Sequence, residues 1–312
     1  MHGNNQGGFK GKDIISINDM SKREIDFILE KAEWIENLYD KSGLLRGKVM
    51  ASLFFEPSTR TKDSFTSACI KLGGTVVGFS DVDNTSMKKG ESLHDNTKMY
   101  EKYADVLVMR HNLEGAARHV AESVSIPVIN GGDGANQHPT QTLLDLYSIK
   151  KTQGTIEGLK VAIVGDLKYG RTAHSLANAL SLYNCRLYFI SPESLKMPKY
   201  VKDELSSKGI TYSEHEKIRE VIDKIDILYM TRIQGERFPD KAEYEKVKGV
   251  YVLNKAKLAN VKDNLKIMHP LPRVDEIAKD VDDTKYAYYF EQAGNGVPIR
   301  QALLCLVIGV IS

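Results

Sequence analysis

Cysteine is scarce. The 312 residues hold three, Cys69, Cys185 and Cys305, with no C-x-x-C pair and each in an apolar or helical stretch, which argues against a disulfide framework and for reduced packing residues. Neither sign of charge dominates: 43 basic against 41 acidic residues leave a net charge of +2, too little for the electrostatic footprint of a dedicated nucleic-acid binder. Long apolar runs are missing too. The longest, "ALLCLVIGVIS" from Ala302, falls well short of the ~20 residues of a membrane span and reads as a buried terminal helix. The opening "MHGNNQGGFKGKDII" has no apolar core like that of a signal peptide and reads as a frayed tail on a cytoplasmic protein. Neither a fixed-period repeat nor a low-complexity tract occurs, and the eight histidines are scattered without zinc or calcium spacing. The residues therefore point to no metal and no cofactor.

What the chain does have is 42% hydrophobic residues, enough for a sizeable core, and a length that suits two domains at roughly 100 to 200 residues each. Short runs rich in Val, Ile, Leu or Phe recur, each followed by turn residues and then by helical spacing. In the first half these are 49–55, 75–79, 105–110 and 126–130; in the second, 160–165, 186–191, 226–231, 249–254 and 265–270. Such alternation predicts an α/β fold of two domains, each a parallel sheet flanked by helices. Leu143, Leu144 and Tyr147 suit one helical face before a connector bearing lysine and glycine, so the boundary is expected near 148–158. Polar clusters follow the strand ends at "EPSTRT", "MRH", "NGGDGANQH", "GDLKYGR", "MTRIQ" and "HPLPR". Ligands of open parallel sheets sit beyond the carboxyl ends of strands, which predicts an active site in an interdomain cleft.

The first cluster, "FFEPSTRTKDSF" at 54–65, reads as a strand end running into a helix whose first turn takes Pro57 and whose apolar face is Phe65, Ala68, Cys69 and Leu72. Open N–H groups, hydroxyls and the Arg60 fork make such a start an anion site. Ordinary Ser/Thr capping beside a solvated arginine explains the same residues equally well. "GDLKYGRT" at 165–172 differs from a P-loop by Arg171 in the lysine position. A nucleotide reading fails on that exchange and on the position of Asp226, which begins the later strand where a magnesium-binding carboxylate would end it. As a dinucleotide fingerprint it fails at Leu167, which stands in the second glycine's place. "NTSMKKGESLHD" at 84–95 suits a mobile or merely solvated basic loop, and Arg110 a ligand clamp or a surface arginine. His138 stands at the mouth of a new helix with Gln141 one turn on, where a capping histidine is the alternative.

Taken together, "FFEPSTRT", "NTSMKKGES", "VMRH", "GDGANQHPTQTLLDL", "GDLKYGRTAHSL", "YMTRIQGER", "MHPLPRVDEI" and "AGNGVPIRQALL" resemble the aspartate/ornithine carbamoyltransferase family, in order and spacing, from about residue 12 to the end. Within it the aspartate branch fits better. An ornithine enzyme is expected to carry H-C-L-P where this chain has Pro270, and Arg171, Arg232 and Gln234 suit a dicarboxylate and would repel a cationic tail.

That resemblance implies transfer of the carbamoyl group of carbamoyl phosphate to the amine of L-aspartate in pyrimidine synthesis. It implies a carbamoyl-phosphate-binding domain over 1–150, with the closing helix at 293–312 packed back on it, and an aspartate-binding domain over 151–292. Carried over, Ser58, Thr59, Arg60, Thr61 and Arg110 hold phosphate, with Ser86 in the loop that closes over it. His138, Thr61 and Arg110 donate to the carbonyl oxygen. Gln141 and the carbonyls of Pro270 and Leu271, beside a cis bond to Pro272, orient the carbamoyl amine. Arg171, Arg232, Gln234, Leu271 and Lys89 take aspartate, Lys89 from a neighbouring subunit of a homotrimer with shared active sites. Glu56 bridges to Arg171 and Arg237 on domain closure. The resemblance also allows regulatory chains as partners, and an ornithine-using sister or a silent scaffolding paralogue are the competing readings. The lysine loop "TSMKKG" is one residue shorter than in familiar members.

Overall fold

Apolar runs buried on both faces require a sheet covered by helices, and the chain folds that way in the computed structural model, which describes residues 8–233, 235, 238 and 240–312. It divides into two units, Met1–Leu143 with Gly296–Ser312, and Leu144–Asn295. The first holds strands β1 (Val49–Phe54), β2 (Thr75–Phe79), β3 (Val106–His111) and β4 (Val128–Asp133), all parallel in the order β2-β1-β3-β4. Helices α1 (Lys22–Asn37), α2 (Thr59–Lys71), α3 (Leu93–Tyr100), α4 (Ala116–Ser123) and α5 (Pro139–Gln153) go with them. The division between the units falls inside α5, after Leu143.

In the second unit β5 (Lys160–Val164), β6 (Arg186–Ile190), β7 (Tyr212–His215), β8 (Ile227–Met230) and β9 (Lys266–Met268) run parallel in the order β7-β6-β5-β8-β9. Helices α6 (Arg171–Ser181), α7 (Lys199–Ser207), α8 (Lys241–Val247) and α9 (Tyr289–Gly294) accompany this sheet. The apolar run that closes the chain is helix α10 (Gly296–Ile308), with Ala302, Leu303, Leu304, Cys305, Leu306 and Val307 all buried where it packs on α1 and α2. Arg300 of α10 is also buried, donates to Ser64 Oγ at 2.8 Å and lies over the Phe65 ring. All three cysteines are free and buried. Burial pushes the Cys69 thiol up to about 11 and the Cys305 thiol up to about 12, so both stay protonated and behave as small apolar groups.

Three sequence expectations need correcting. The run 249–254 is not a strand: Tyr251 and Leu253 are buried, but the segment contributes a single bridge, Leu253 to Ile277. The missing strand is β7, "YSEH". As an edge strand it pairs on one side only and stays partly exposed, so it needs no apolar run. Pro57 lies outside the first turn of α2, ahead of the N-cap Ser58.

A shared device closes the amino end of each sheet. Asp105, just ahead of β3, accepts from Val49 N at 2.9 Å and from Lys48 Nζ at 2.8 Å. In the second unit Asp226, just ahead of β8, accepts from Lys160 N at 2.9 Å, Lys262 Nζ at 2.7 Å and Asn264 Nδ2 at 3.2 Å. Thus the aspartate that a nucleotide-binding reading would recruit is a strand clamp at the opposite end of the sheet. Burial alone would raise both carboxyls, yet these hydrogen bonds outweigh it and hold both below the ordinary range. A carboxyl lowered by folding stabilises the protein above its unfolded value of about 4, and that contribution disappears as pH falls through the folded value. The double variant Asp105→Asn, Asp226→Asn should therefore show a flatter acid limb in melting temperature against pH, measured by calorimetry; an unchanged limb would remove the clamps from the account.

Candidate active site

In an open parallel sheet the strand order reverses at one point, and the carboxyl ends on either side of it leave a crevice. In the first unit the reversal lies between β1 and β3, where Phe54 pairs with Arg110. The segment leaving β1 is Phe55, Glu56 and Pro57, and α2 starts at once. Its N-cap differs from that of α1. Ser21 caps α1 through a reciprocal capping box with Glu24, whereas Ser58 makes no capping hydrogen bond. The capping alternative for Ser58 thus falls. The N–H groups of the first turn have no carbonyl of their own helix to meet, and they sit at the positive end of its dipole. Thr59 and Arg60 are exposed, Ser58 half-buried and Thr61 buried.

Arg110 reaches into the same place. Its Nη1 donates to Gly131 O at 3.3 Å, and its Nε lies 3.0 Å from Glu56 Oε2. Glu56 is a partner that sequence reasoning did not suggest for it. Gly131 is closely packed: a Cβ there would lie 3.1 Å from Met109 O and 3.5 Å from the Thr61 methyl. Thr61, Arg110 and the end of β4 consequently stand side by side.

The loop after β4 is organised by Asp133, almost wholly buried. Its carboxylate accepts from Asn130 Nδ2 (2.9 Å), Gln137 N (3.0 Å), Asn136 Nδ2 (3.0 Å) and Gly115 N (2.8 Å). These bonds tie the turn to β4 and to α4, and they deliver His138 to the mouth of α5. There the His138 carbonyl accepts from Gln141 N and Thr142 N, and its Nδ1 lies 3.5 Å from Thr140 Oγ1. No reading of the sequence singled out Asp133. The signal was an acid inside a glycine turn, and such a residue bonds nearby backbone N–H groups.

Ser86 and Lys89 lie in the segment that leaves β2, on the same carboxyl edge, as a one-turn helix ended by Gly90 at φ 95. Both are exposed. Ser86 Oγ donates to Glu91 Oε2 at 2.5 Å, and Asn96 Nδ2 donates to the same oxygen at 2.9 Å. These two hydrogen bonds lower the Glu91 carboxyl, the Asn96 bond first.

In the second unit the reversal lies between β5 and β8, which pair through Val164 and Met230. Arg171 opens α6 after β5 and is buried, and its helix likewise starts without a side-chain cap. Arg232 follows β8 and is half-buried. The glycines that imitate a nucleotide loop serve packing here: a Cβ on Gly165 would lie 2.3 Å from Thr231 O, and one on Gly170 would lie 2.3 Å from Asp166 O. Gln234 and Arg237, both expected in the site, lie outside the described residues.

After β9 the chain makes the 269–272 turn. Leu271 is left-handed at φ 53, a costly conformation for a branched residue, and the bond to Pro272 is cis. His269 braces it. Its Nδ1 lies 2.8 Å from Leu271 N, its Nε2 2.6 Å from Glu276 Oε1, and its own N–H donates to Gln292 Oε1 at 2.8 Å. Glu276 Oε2 accepts further from Val274 N and Asp275 N. Burial pushes the Glu276 carboxyl up, but the His269 and backbone bonds outweigh it and hold it below the usual range. Arg273, inside the same motif, forks onto Asp282 and lies over the Tyr289 and Phe290 rings. Among the described residues no group of three or more His, Cys, Asp or Glu is arranged to hold a metal ion.

Two family models match: the carbamoyl-P binding domain of aspartate/ornithine carbamoyltransferase over residues 12–151, and its Asp/Orn binding domain over residues 157–307. The aspartate carbamoyltransferase catalytic subunit of Thermococcus kodakarensis is 58% identical over 306 residues, covering 97% of this chain and 99% of its own length. Among solved structures, the catalytic subunit of M. jannaschii aspartate transcarbamoylase matches with a TM-score of 0.89 at 50% identity, over 96% of this chain and 98% of that one. Aspartate transcarbamoylase from Trypanosoma cruzi, in complex with carbamoyl phosphate and aspartate, matches with a TM-score of 0.90 at 37% identity, over 96% and 97%. With both models and relatives of this identity spanning nearly its whole length, the chain belongs to the aspartate/ornithine carbamoyltransferase family.

Proposed function

We propose that this chain is the catalytic subunit of an aspartate carbamoyltransferase, transferring the carbamoyl group of carbamoyl phosphate to the amine of L-aspartate, with N-carbamoyl-L-aspartate and phosphate as products, for pyrimidine biosynthesis. The observation that carries it is chemical. An uncapped helix start with Arg60 and Arg110 occupies the reversal point of one sheet, and Arg171 and Arg232 that of the other. The first set suits a phosphate and the second a dicarboxylate, since guanidinium forks pair with either anion.

Each residue then has a task. The first-turn N–H groups of α2, the hydroxyls of Ser58, Thr59 and Thr61, and the guanidinium of Arg60 hold the phosphate. Arg110 joins them, and Glu56, its partner here, acts in domain closure. The amine of aspartate attacks the carbonyl carbon, and negative charge gathers on the carbonyl oxygen. Thr61, Arg110 and His138 donate to that oxygen, as in an oxyanion hole. The bond from carbon to the phosphate oxygen then breaks, and the departing phosphate accepts the amine's proton. Gln141 and the carbonyls of Pro270 and Leu271 orient the carbamoyl NH2 group. Positioning and electrostatics supply the rate, with no covalent enzyme intermediate. Aspartate binds through Arg171, Arg232, Gln234 and Lys89, with Leu271 beside it. Pro270 and these arginines favour aspartate over ornithine.

Lys89, exposed on its own chain, serves the site of a neighbour in a homotrimer, and Ser86 exchanges Glu91 for phosphate as that loop closes. The enzyme works in the cytoplasm.

Product analysis with the purified chain tests the reading directly: carbamoyl transfer to aspartate and none to ornithine is expected, and the reverse preference would refute it. Arg60→Ala should lower kcat/KM for carbamoyl phosphate by about 10²–10³-fold with an unchanged melting temperature, because Arg60 is exposed. Mixing inactive Lys89→Ala chains with inactive Arg60→Ala chains should restore activity in hybrid trimers, each mixed trimer regaining a native site; verified hybrids that stay inactive would exclude the shared site.

A further inference from the structure

The 269–272 turn hangs on a buried polar network that the substrate-contacting residues do not use. Asp145 of α5, fully buried, accepts from Tyr229 Oη at 2.8 Å and from Gln292 Nε2 at 2.6 Å. Because the Gln292 amide presents its NH2 group to that carboxylate, its oxygen must face the other way, and there it accepts the main-chain N–H of His269. A carboxylate has no proton to offer, so Asp145 sets the sense of the Gln292 amide and, through it, the start of the turn.

The imidazole repeats this logic one step on. Leu271 N–H can only donate, so Nδ1, 2.8 Å away, must carry a lone pair. The ring proton then sits on Nε2 and donates to Glu276 Oε1. A charged ring, or the opposite tautomer, would set two donors against each other at Leu271. Tyr229, Asp145, Gln292, His269 and Glu276 are all buried, where an unpaired polar group is costly and the bonds are correspondingly decisive.

The geometry points to His269 as a positioning residue for carbamoyl transfer: neutral, with its proton on Nε2 held by Glu276, it fixes the left-handed Leu271 and so aims the Pro270 and Leu271 carbonyls, while Asp145 and Gln292 anchor its backbone. This role rests on the carbamoyl-transfer reading above. His269 touches no substrate in it and acts only through the turn.

Two near-isosteric variants separate its two nitrogens. The side-chain oxygen of Asn lies where Nδ1 does and keeps an acceptor for Leu271 N–H; the amide of Gln lies where Nε2 does and keeps a donor for Glu276. On the intact enzyme, with carbamoyl phosphate and aspartate, His269→Asn should keep kcat within about tenfold, whereas His269→Gln should lose about a hundredfold, the scale of a misplaced positioning contact. A merely structural histidine would lower the unfolding midpoint of both variants without ranking their kcat values, so equal losses or the reverse order would overturn the proposal. Neutron diffraction of the wild-type enzyme supplies a readout independent of both activity and variant folding. Deuterium on Nε2 alone is expected, and deuterium on Nδ1 would overturn it. A wild-type enzyme that failed to carbamoylate aspartate would refute the functional reading instead, and the neutron result would still decide how the turn is held.

Discussion

Parallel strand pairing is the constraint on which everything else in this molecule depends. Because each sheet is parallel throughout, consecutive strands cannot be joined by tight turns and need crossover segments. The carboxyl ends all fall on one edge, and the helices that follow begin there. One edge of each sheet thereby collects the positive ends of helices and the residues just ahead of them, while the other is left to the aspartate clamps Asp105 and Asp226. The groups that attract anions, unpaired N–H groups at helix starts, belong to the first edge by geometry.

Within that frame the electrostatics are local. The chain is close to neutral overall, yet Arg60 and Arg110 gather at one reversal point and Arg171 and Arg232 at the other. The two helices that start there, α2 and α6, lack side-chain caps, in contrast to the capping box of α1. An uncapped helix start forgoes on the order of 1 kcal/mol of stability; in exchange its N–H groups stay available to an anion. The buried polar groups of the second unit show the complementary strategy. Asp145, Gln292, His269 and Glu276 are satisfied by one another, and the fixed object they produce is a backbone turn.

Much was legible from local pattern. A strand buried on both faces must read as an apolar run, which is why β1, β3, β5 and β8 were visible. Phe65, Ala68, Cys69 and Leu72 are all buried, as their spacing along α2 required. The polar edge strand β7 was missed for the opposite reason, and the apolar run at 249–254 was misread because Tyr251 and Leu253 are buried without pairing as a strand. Of the alternatives that the residues left open at Ser58, the missing side-chain cap removes capping by Ser58 itself.

By itself, the sequence determined the alternation of strands and helices, the polar clusters at their ends, and the family those clusters resemble, because each is written in residues close along the chain. Tertiary structure alone decided which residues meet: Glu56 with Arg110, Asp133 with both Gly115 and Gln137, Asp145 with Gln292 across 147 positions. Hydrogen bonds depend on donor–acceptor distance to within a few tenths of an ångström and on the orientation of donor and acceptor, and neither is encoded in spacing along the chain. His269 in "HPLPR" could be read as part of a turn; that its ring must carry its proton on Nε2 follows only from having Leu271 N–H on one side and Glu276 on the other.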